Sequence, residues 1–571
     1  KFRRVGMDVP VALGVGAAFA ASCWATLVQG GEVYFDSVAM FVFFLLGGRY
    51  LEMTARQKAV SVTEALAKLL PSFAQKMPDF PVDRSTVQCV AADLLQGDVV
   101  LIRPGEIIPA DGRVLEGASS ANESLLTGES RPVSKRIGDP VTAGAVNADS
   151  PLVVRVDQVG EGTRLSAIIQ LMERAAAEKP RIVEMADRIA SYFVAVLLVV
   201  AVGVAIGWYW VDPDKALWIT VSVLVVTCPC ALSLATPIAL TVAAGALAKD
   251  GLLLTRGHAI ETLARATHFV FDKTGTLTTG QMHLMDVAPT GAFSRDDCLA
   301  IAAALEHASE HPLALAVRHA AEGVDLPLAG HAHGEPGQGV EAMVAGRRWR
   351  IGRPDYVLAL SAGVLPPVAV DWLDGGDTVV VLGDETGCVA AFRIGDEVRP
   401  ESAALISSLI AAGKHVVLLS GDAPSVANRV AEQLGIFDVR AGVTPQGKHD
   451  CVKQLQAEGA VVAMVGDGVN DAPVLAQAQV SIAMGGGAQL ARTQSDFVLL
   501  SENLDHLRTG LARADLTLKI IRQNLWWSFA YNFVALPLAI AGFVTPWIAG
   551  IGMSASSLLV VLNSLRIQRK G

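Results

Sequence analysis

Asp272-Lys273-Thr274-Gly275-Thr276-Leu277-Thr278 packs more chemistry into seven residues than any other stretch of this chain. The apolar run His268-Phe269-Val270-Phe271 before it reads as a buried parallel strand. Asp272 then stands at the strand's carboxyl end, where open α/β sheets place their ligands. The small, hydroxylated residues that follow let backbone N–H groups turn toward a phosphate. An aspartate presented in this way can attack phosphorus and become an acyl phosphate. Two more strand ends carry matching groups. Ser420-Gly421-Asp422 follows the run Val416 to Leu419, and its hydroxyl and backbone can hold a phosphoryl oxygen. Gly466-Asp467-Gly468-Val469-Asn470-Asp471 follows the run Val461 to Val465. Its carboxylates suit Mg²⁺, which takes one or two carboxylates with phosphate oxygens and water. Lys448 can neutralise charge spread over a phosphoryl group.

The heptapeptide resembles the phosphorylation signature of the P-type ATPases, ion pumps that pass through an aspartyl phosphate. The set of strand-end motifs resembles the haloacid dehalogenase-like core those pumps share with many phosphatases. This resemblance implies that Asp272 is the nucleophile, that Thr274, Ser420 and Lys448 contact the phosphoryl group, and that Asp272, Thr274, Asp467 and Asp471 serve Mg²⁺. Related phosphatases carry an aspartate where Thr274 stands, as a general acid; threonine there fits an acyl phosphate that persists. Ser420 replaces the pumps' usual threonine and keeps the hydroxyl. Thr127-Gly128-Glu129-Ser130 is by itself a turn motif. Beside the rest it resembles the pumps' dephosphorylation motif, in which Gly128 and Glu129 would act and Glu129 would orient or deprotonate the attacking water.

Composition supplies the elements that position these groups. The chain has 571 residues, 52% of them hydrophobic, and a net charge of −10, with mean hydropathy +0.43. A soluble protein of this length is rarely so apolar. The acidic balance offers nothing to a nucleic acid. Seven cysteines, scattered except for one close pair, are not a disulfide framework. Six stretches, at 10–28, 35–53, 189–210, 217–247, 526–543 and 547–565, are long and apolar enough to span a bilayer. Lys1, Arg3, Arg4, Arg56, Lys58, Lys249, Arg256, Arg566, Arg569 and Lys570 gather on one side of these spans, and the opposite connections hold only Lys215. The positive-inside rule places both termini and both large loops in the cytoplasm.

The expected architecture is a multi-domain membrane protein. A transmembrane helical bundle would carry a mainly β actuator domain, a haloacid dehalogenase-like α/β phosphorylation domain and an α+β nucleotide-binding domain. Helices one and two fall at 1–53 and the actuator at 54–187. Helices three and four fall at 188–248. The phosphorylation domain takes 249–278 and 395–522, interrupted by nucleotide binding at 279–394. Helices five and six take 523–571. Ser309-Glu310-His311-Pro312-Leu313 can be a plain helix start. In the heavy-metal class of these pumps it marks the ATP site, which would comprise Glu306, His311, Gly337 and Gly339. Arg353 stands where that class usually has asparagine and is left out of the site.

Cys228-Pro229-Cys230 lies in the fourth span, 42 residues before Asp272. The proline removes a helix hydrogen bond, and two thiols at that break form a soft ligand pair in a water-poor setting. This resembles the heavy-metal class. The fifth span carries Asn524, Tyr531-Asn532 and Pro537, and the sixth Met553 and Ser556-Ser557. Taken alone, these are residues that brace helix against helix. Their spacing resembles the copper(I) subgroup and implies that Cys228, Cys230, Met553, Tyr531, Asn532 and Ser557 hold the ion. The chemistry agrees, since Cu(I) favours thiolate and thioether. Zn²⁺ prefers four ligands and accepts carboxylate, and neither of the last two spans holds an acidic residue. Ag(I) shares the softness of Cu(I) and stays beside it. Glu52, Asp187 and Met7 would line the cytoplasmic way in, and Asp36 the way out.

The resemblance implies ATP-driven export of Cu(I) through a bacterial inner membrane, with ATP and Mg²⁺ as cofactors. Partners would be membrane lipid, a copper chaperone or metallated thiol donor inside, and an acceptor outside. The alternatives are a Zn, Cd or Pb pump and a non-transporting phosphatase or metal sensor on the same scaffold. Members usually have two further N-terminal helices and often a cysteine-bearing metal-binding domain, so the chain is expected to be part of a longer protein.

Overall fold

A computed structural model describes every residue except 1–7, 29–32, 34, 36–37, 41, 44–45, 48–49, 51–52, 55–70, 72, 125–131, 178–180, 227–229, 292, 336, 362, 469–470, 487–493 and 570–571. The chain divides into two compact units: Lys1–Arg265 with Asp496–Ser501 and His506–Gly571, and Ala266–Ser495 with Glu502–Asp505.

The first unit holds the apolar helices and a β region. Its helices include Asp8–Val28, Arg181–Val211, Pro213–Val226, Cys230–Lys249 and Pro546–Leu565. Among the described residues, Ser191–Val211 (21 residues, mean hydropathy 2.4) and Pro546–Gln568 (23 residues, 1.7) are long and apolar enough to cross a bilayer. Two of the expected spans take a different form. The stretch 217–247 is described as the helices Pro213–Val226 and Cys230–Lys249, and residues 227–229 between them lie outside the described residues. The fifth span is the second half of a 36-residue helix, Asp505–Ile540, whose first half is charged. Helical periodicity continues through that charged half, so hydropathy alone cut the element short. The second span, 35–53, is described only in fragments.

The β region pairs six strands antiparallel in the order Val87–Val90, Phe73–Lys76, Val99–Ile102, Leu152–Gln158, Asp111–Glu116 and Pro140–Val141. Alternating burial along Val99–Ile102 follows its alternating pleat. Val100, Ile102, Ile108, Val114, Leu152 and Val154 form the core. Strands Ser119–Asn122 and Val133–Lys135 pair antiparallel, Ser119 opposite Lys135 and Ala121 opposite Val133. The connection between them contains Gly128 and Glu129, which lie outside the described residues. At its base Lys135 Nζ meets Glu123 at 2.8 Å.

The second unit joins two sheets. Five parallel strands run in the order Val480–Ala483, Val462–Gly466, His268–Asp272, His415–Leu419 and Asp438–Arg440. The first four of these strands are buried along most of their length, as parallel sheets require, while the edge strand Asp438–Arg440 is partly exposed. Phe269 and Phe271 are fully buried, each contributing about 1.5–3 kcal/mol of transfer free energy. The chain leaves this sheet after Asp272 and builds six antiparallel strands, ordered Thr278–Pro289, Gly387–Val398, Thr378–Asp384, Arg347–Gly352, Gly339–Val344 and Ala329–Glu335. The first and last strands of this insertion in chain order pair from Thr278 opposite Val398. The inserted sheet therefore ends where the parallel sheet resumes.

Candidate active site

His268–Asp272 is the earliest of the five parallel strands in the chain, yet it lies between the second and the fourth. That is a topological switch point, the place where such sheets open a crevice at their carboxyl ends. Register aligns Asp272 with Leu419 and Phe271 with Val465. Asp272, Ser420 and Asp467 therefore emerge along one edge. Asp272 is buried, 6% exposed. Lys448, on helix Pro445–Ala457 capped by Thr444, reaches in. Its Nζ donates to Asp272 Oδ1 at 2.5 Å and to Asp471 Oδ1 at 2.9 Å. Lys273 pairs with Asp422 at 2.6 Å, and Ser420 Oγ donates to Asp422 Oδ2 at 2.8 Å. Thr274 alone among these residues is exposed.

Burial, with the Asp471 carboxylate beside it, pushes the Asp272 carboxyl up to about 7 against the pull of Lys448. Burial would depress the Lys448 ammonium, but Asp272 and Asp471 outweigh it and hold the ammonium above its usual range. Burial also works against Asp422, whose carboxyl Lys273 nevertheless keeps below the usual range. Among the described residues the centre thus gathers Asp272, Asp422, Asp467 and Asp471 around two buried ammonium groups, Lys273 and Lys448. Gly275 shows how tightly the loop meets the next acid: φ is +71°, and a Cβ there would stand 3.0 Å from Asp467 Oδ2. Among the described residues no three His, Cys, Asp or Glu side chains converge to cage a metal. The arrangement fits Mg²⁺, which is satisfied by one or two carboxylates with phosphate and water and would relieve the surplus charge. Gly275→Ala meets both the left-handed penalty and the Asp467 contact. Because each 1.36 kcal/mol is tenfold in rate, we expect phosphate incorporation from ATP to fall about tenfold or more in an acid-quench assay.

Two residues at this centre carried no sequence signal. Asp396 and Arg399 close the last strand of the insertion. Asp396 accepts from Thr278 Oγ1, from Thr279 Oγ1 at 3.3 Å and from Gly280 N at 2.8 Å. Arg399 Nε donates to Thr276 O and Thr278 O, both at 3.0 Å. They stand over 115 residues from the loop in the chain (|i−j| of 116 to 124). Only their position, where the chain leaves the insertion, could have pointed to them.

The proposed nucleotide residues sit on the antiparallel sheet and its helices. Glu306 ends helix Arg295–Leu305, is 8% exposed, and has its carboxyl raised by burial. His311 caps helix Pro312–Ala320, Nδ1 accepting from Leu313 N at 3.3 Å. Here the helix-start role is realised. Gly339 has a packing reason of its own, since a Cβ would stand 2.1 Å from Ile351 O across the strand pair. Gly337 has φ +76° with open space around it. Arg353 is exposed and pairs with Asp355 at 3.4 Å.

In the first unit, helix Asp505–Ile540 brings Tyr531 against helix Pro546–Leu565, where Tyr531 Oη lies 2.8 Å from the Cβ that Gly552 lacks. Met553 is 5% exposed and shares a core with Tyr531. Asn532 Nδ2 donates to Ser528 O at 2.8 Å, while its buried Oδ1 has no hydrogen-bond partner among the described residues. Ser557 is buried, and Ser556 accepts from Trp527 Nε1 at 3.1 Å. Asn524 braces the last two helices by donating to Ser564 Oγ at 3.0 Å. Cys230 begins helix Cys230–Lys249, and Asp187 lies in Arg181–Val211. Cys228, Met7, Asp36 and Glu52 lie outside the described residues, as do the side chains of Cys230 and Asp187.

Residues 266–479 match the haloacid dehalogenase-like hydrolase family. Residues 69–173 match the P-type ATPase actuator domain. A probable copper-exporting P-type ATPase V of Mycobacterium tuberculosis is 39% identical over 580 residues, covering 99% of this chain and 74% of that one. A probable copper-importing P-type ATPase A of Enterococcus hirae is 36% identical, covering 100% and 78%. The crystal structure of a zinc-transporting PIB-type ATPase in the E2.Pi state is similar with a TM-score of 0.63 and 29% identity, over 99% of this chain and 95% of that one. With its strand-end aspartate, its two sheets and a likeness to these relatives over nearly its whole length, the chain belongs to the P-type ATPases, the membrane family of ATP-hydrolysing pumps.

Proposed function

We propose that this ATPase exports Cu(I) from the cytoplasm, driven by an aspartyl phosphate on Asp272. One observation carries the metal assignment. The last two membrane helices bury Met553, the soft thioether that Cu(I) favours, in a core shared with Tyr531. A soft ion would be held by Cys228, Cys230 and Met553, with Tyr531, Asn532 and Ser557 completing the enclosure. The copper names of relatives at 36% identity and above support the same choice.

In the proposed cycle, a carboxylate oxygen of Asp272 attacks the γ-phosphorus of ATP and the bond to ADP breaks. Lys448 and the Thr274 and Ser420 hydroxyls take up charge on the phosphoryl oxygens. Asp467 and Asp471, with Asp272 and Thr274, would hold Mg²⁺, which offsets phosphate charge when bound. Glu306, His311, Gly337 and Gly339 would border the nucleotide. After the ion leaves outward, water loses a proton to Glu129 and attacks phosphorus, and the Asp272 carboxylate departs. Gly128 would act beside Glu129. Ions would arrive past Met7, Glu52 and Asp187 from a chaperone or metallated thiol, and leave past Asp36 to an acceptor. Both large loops would face the cytoplasm of a bacterial inner membrane.

The direction is tested with inside-out vesicles. ATP should drive Cu(I) into them; ATP-driven loss of Cu(I) from preloaded vesicles would reverse the assignment to import. Glu129→Gln should leave phosphoenzyme formation intact and slow its decay about a hundredfold, in the range of a lost general base. A pulse-chase of labelled ATP measures it, and unchanged decay removes Glu129 from the reaction.

A further inference from the structure

The carbonyls of the phosphorylation loop are taken one after another by a short segment beyond the insertion. Gly275 O accepts from Arg399 Nη2 at 3.4 Å, and Thr276 O and Thr278 O both accept from Nε at 3.0 Å. Leu277 O accepts from the Arg399 backbone N and from Ser402 Oγ, both at 2.9 Å. Four consecutive peptide planes are thereby fixed by one arginine and a serine three residues on. Asp396 holds the complementary donors of Thr278, Thr279 and Gly280. The guanidinium is buried, 8% exposed for the whole residue. Its charge is met by Glu502 Oε2 at 2.9 Å, and Glu502 O takes a further bond at 3.1 Å.

A planar trans peptide ties each carbonyl's direction to that of the next N–H. Holding the carbonyls of 275–278 therefore sets the loop's course immediately after Asp272 and Thr274. An arginine fork can do this and a lysine cannot, because only the planar guanidinium presents several donors in fixed directions. Glu502 compensates the buried charge, which would otherwise be costly. We propose that Arg399, anchored by Glu502, is a positioning residue for phosphoryl transfer: it holds the loop so that Asp272 and Thr274 meet the phosphoryl group in attacking geometry. Its hydrogen bonds go to the loop's carbonyls and to Glu502, so its effect should fall on the chemical step. Sub-ångström placement carries large rate factors in such steps.

This inference rests on Asp272 being the phosphorylated residue. Arg399→Ala, Arg399→Lys and Glu502→Gln are prepared in the full chain, in lipid-detergent micelles. Three quantities are read: the rate of acid-stable phosphoenzyme formation from ATP, the KM for ATP, and phosphoenzyme formed from inorganic phosphate. Arg399→Ala should slow formation about a hundredfold, near the loss of one preorganised donor group, with KM for ATP within about twofold and the reaction from phosphate reduced in parallel. Arg399→Lys keeps the charge and loses the fork, and should slow formation about tenfold. Glu502→Gln, which retains the backbone contact, should lose less. If Arg399→Ala does not fold, Arg399→Lys decides. Wild-type rates in the lysine variant, or a loss that lies wholly in KM for ATP, would overturn the inference. Failure of the wild-type chain to form phosphoenzyme from either source would instead overturn the underlying reading of Asp272.

Discussion

Asp272→Asn is expected to abolish the acid-stable, hydroxylamine-sensitive phosphoenzyme altogether, with the protein still folded. The amide is nearly isosteric, but it cannot act as the nucleophile. Asp272 is buried beside Asp471, with Lys448 Nζ bonded to both. Removing one of two carboxylates leaves Lys448 paired with Asp471, so no buried charge is orphaned. Thermal stability should therefore change far less than activity. The check is incorporation of labelled phosphate from ATP, beside a melting curve. Ordinary incorporation in this variant would remove the nucleophile and every step built on it.

Cys228→Ser and Cys230→Ser should each abolish Cu(I)-stimulated ATP hydrolysis, and Met553→Leu should weaken it strongly. A serine hydroxyl is a hard, neutral oxygen and does not replace a soft thiolate. Leucine keeps roughly the volume of methionine and loses the sulfur, so the packing of buried Met553 should hold. Phosphorylation from inorganic phosphate should survive in all three, because it takes place in the second unit and requires no ion in the membrane. If phosphorylation from phosphate is also lost, the variants have damaged the fold and the thiols have not been tested as ligands; Met553→Leu, the volume-conserving change, then carries the comparison.

The convergence of Asp272, Ser420 and Asp467 was legible because its signals are local. An apolar run ending in a polar, glycine-bearing turn predicts a parallel strand end wherever it occurs. Parallel pairing then brings such ends to one edge, as the register of Asp272 with Leu419 does. Lys448 has no such local signal, a lone lysine usually being solvated, and is named through the family resemblance. Arg399 and Asp396 could not be named, because their partners are loop atoms across an entire inserted sheet. The membrane helices were legible as apolar lengths but not in their bounds. The fourth stretch begins earlier than its apolar run suggests, at Pro213. The charged residues from Asp505 onward extend the fifth into a helix of 36 residues. His311 was read as a nucleotide residue or a helix start, and its Nδ1 serves the helix start. Gly339 is required by the approach of Ile351 O, whatever the nucleotide needs.

The central claim is that a soft monovalent ion in the membrane drives phosphorylation of Asp272. Its most direct test is ATP hydrolysis by the full chain under reducing conditions, with Cu(I), Ag(I), Zn²⁺ and Cd²⁺ supplied in turn. Cu(I), and Ag(I) with it, should stimulate hydrolysis, and Asp272→Asn should abolish the stimulation. Stimulation by Zn²⁺ or Cd²⁺ and not by Cu(I) would contradict the copper assignment while leaving the aspartyl-phosphate pump in place.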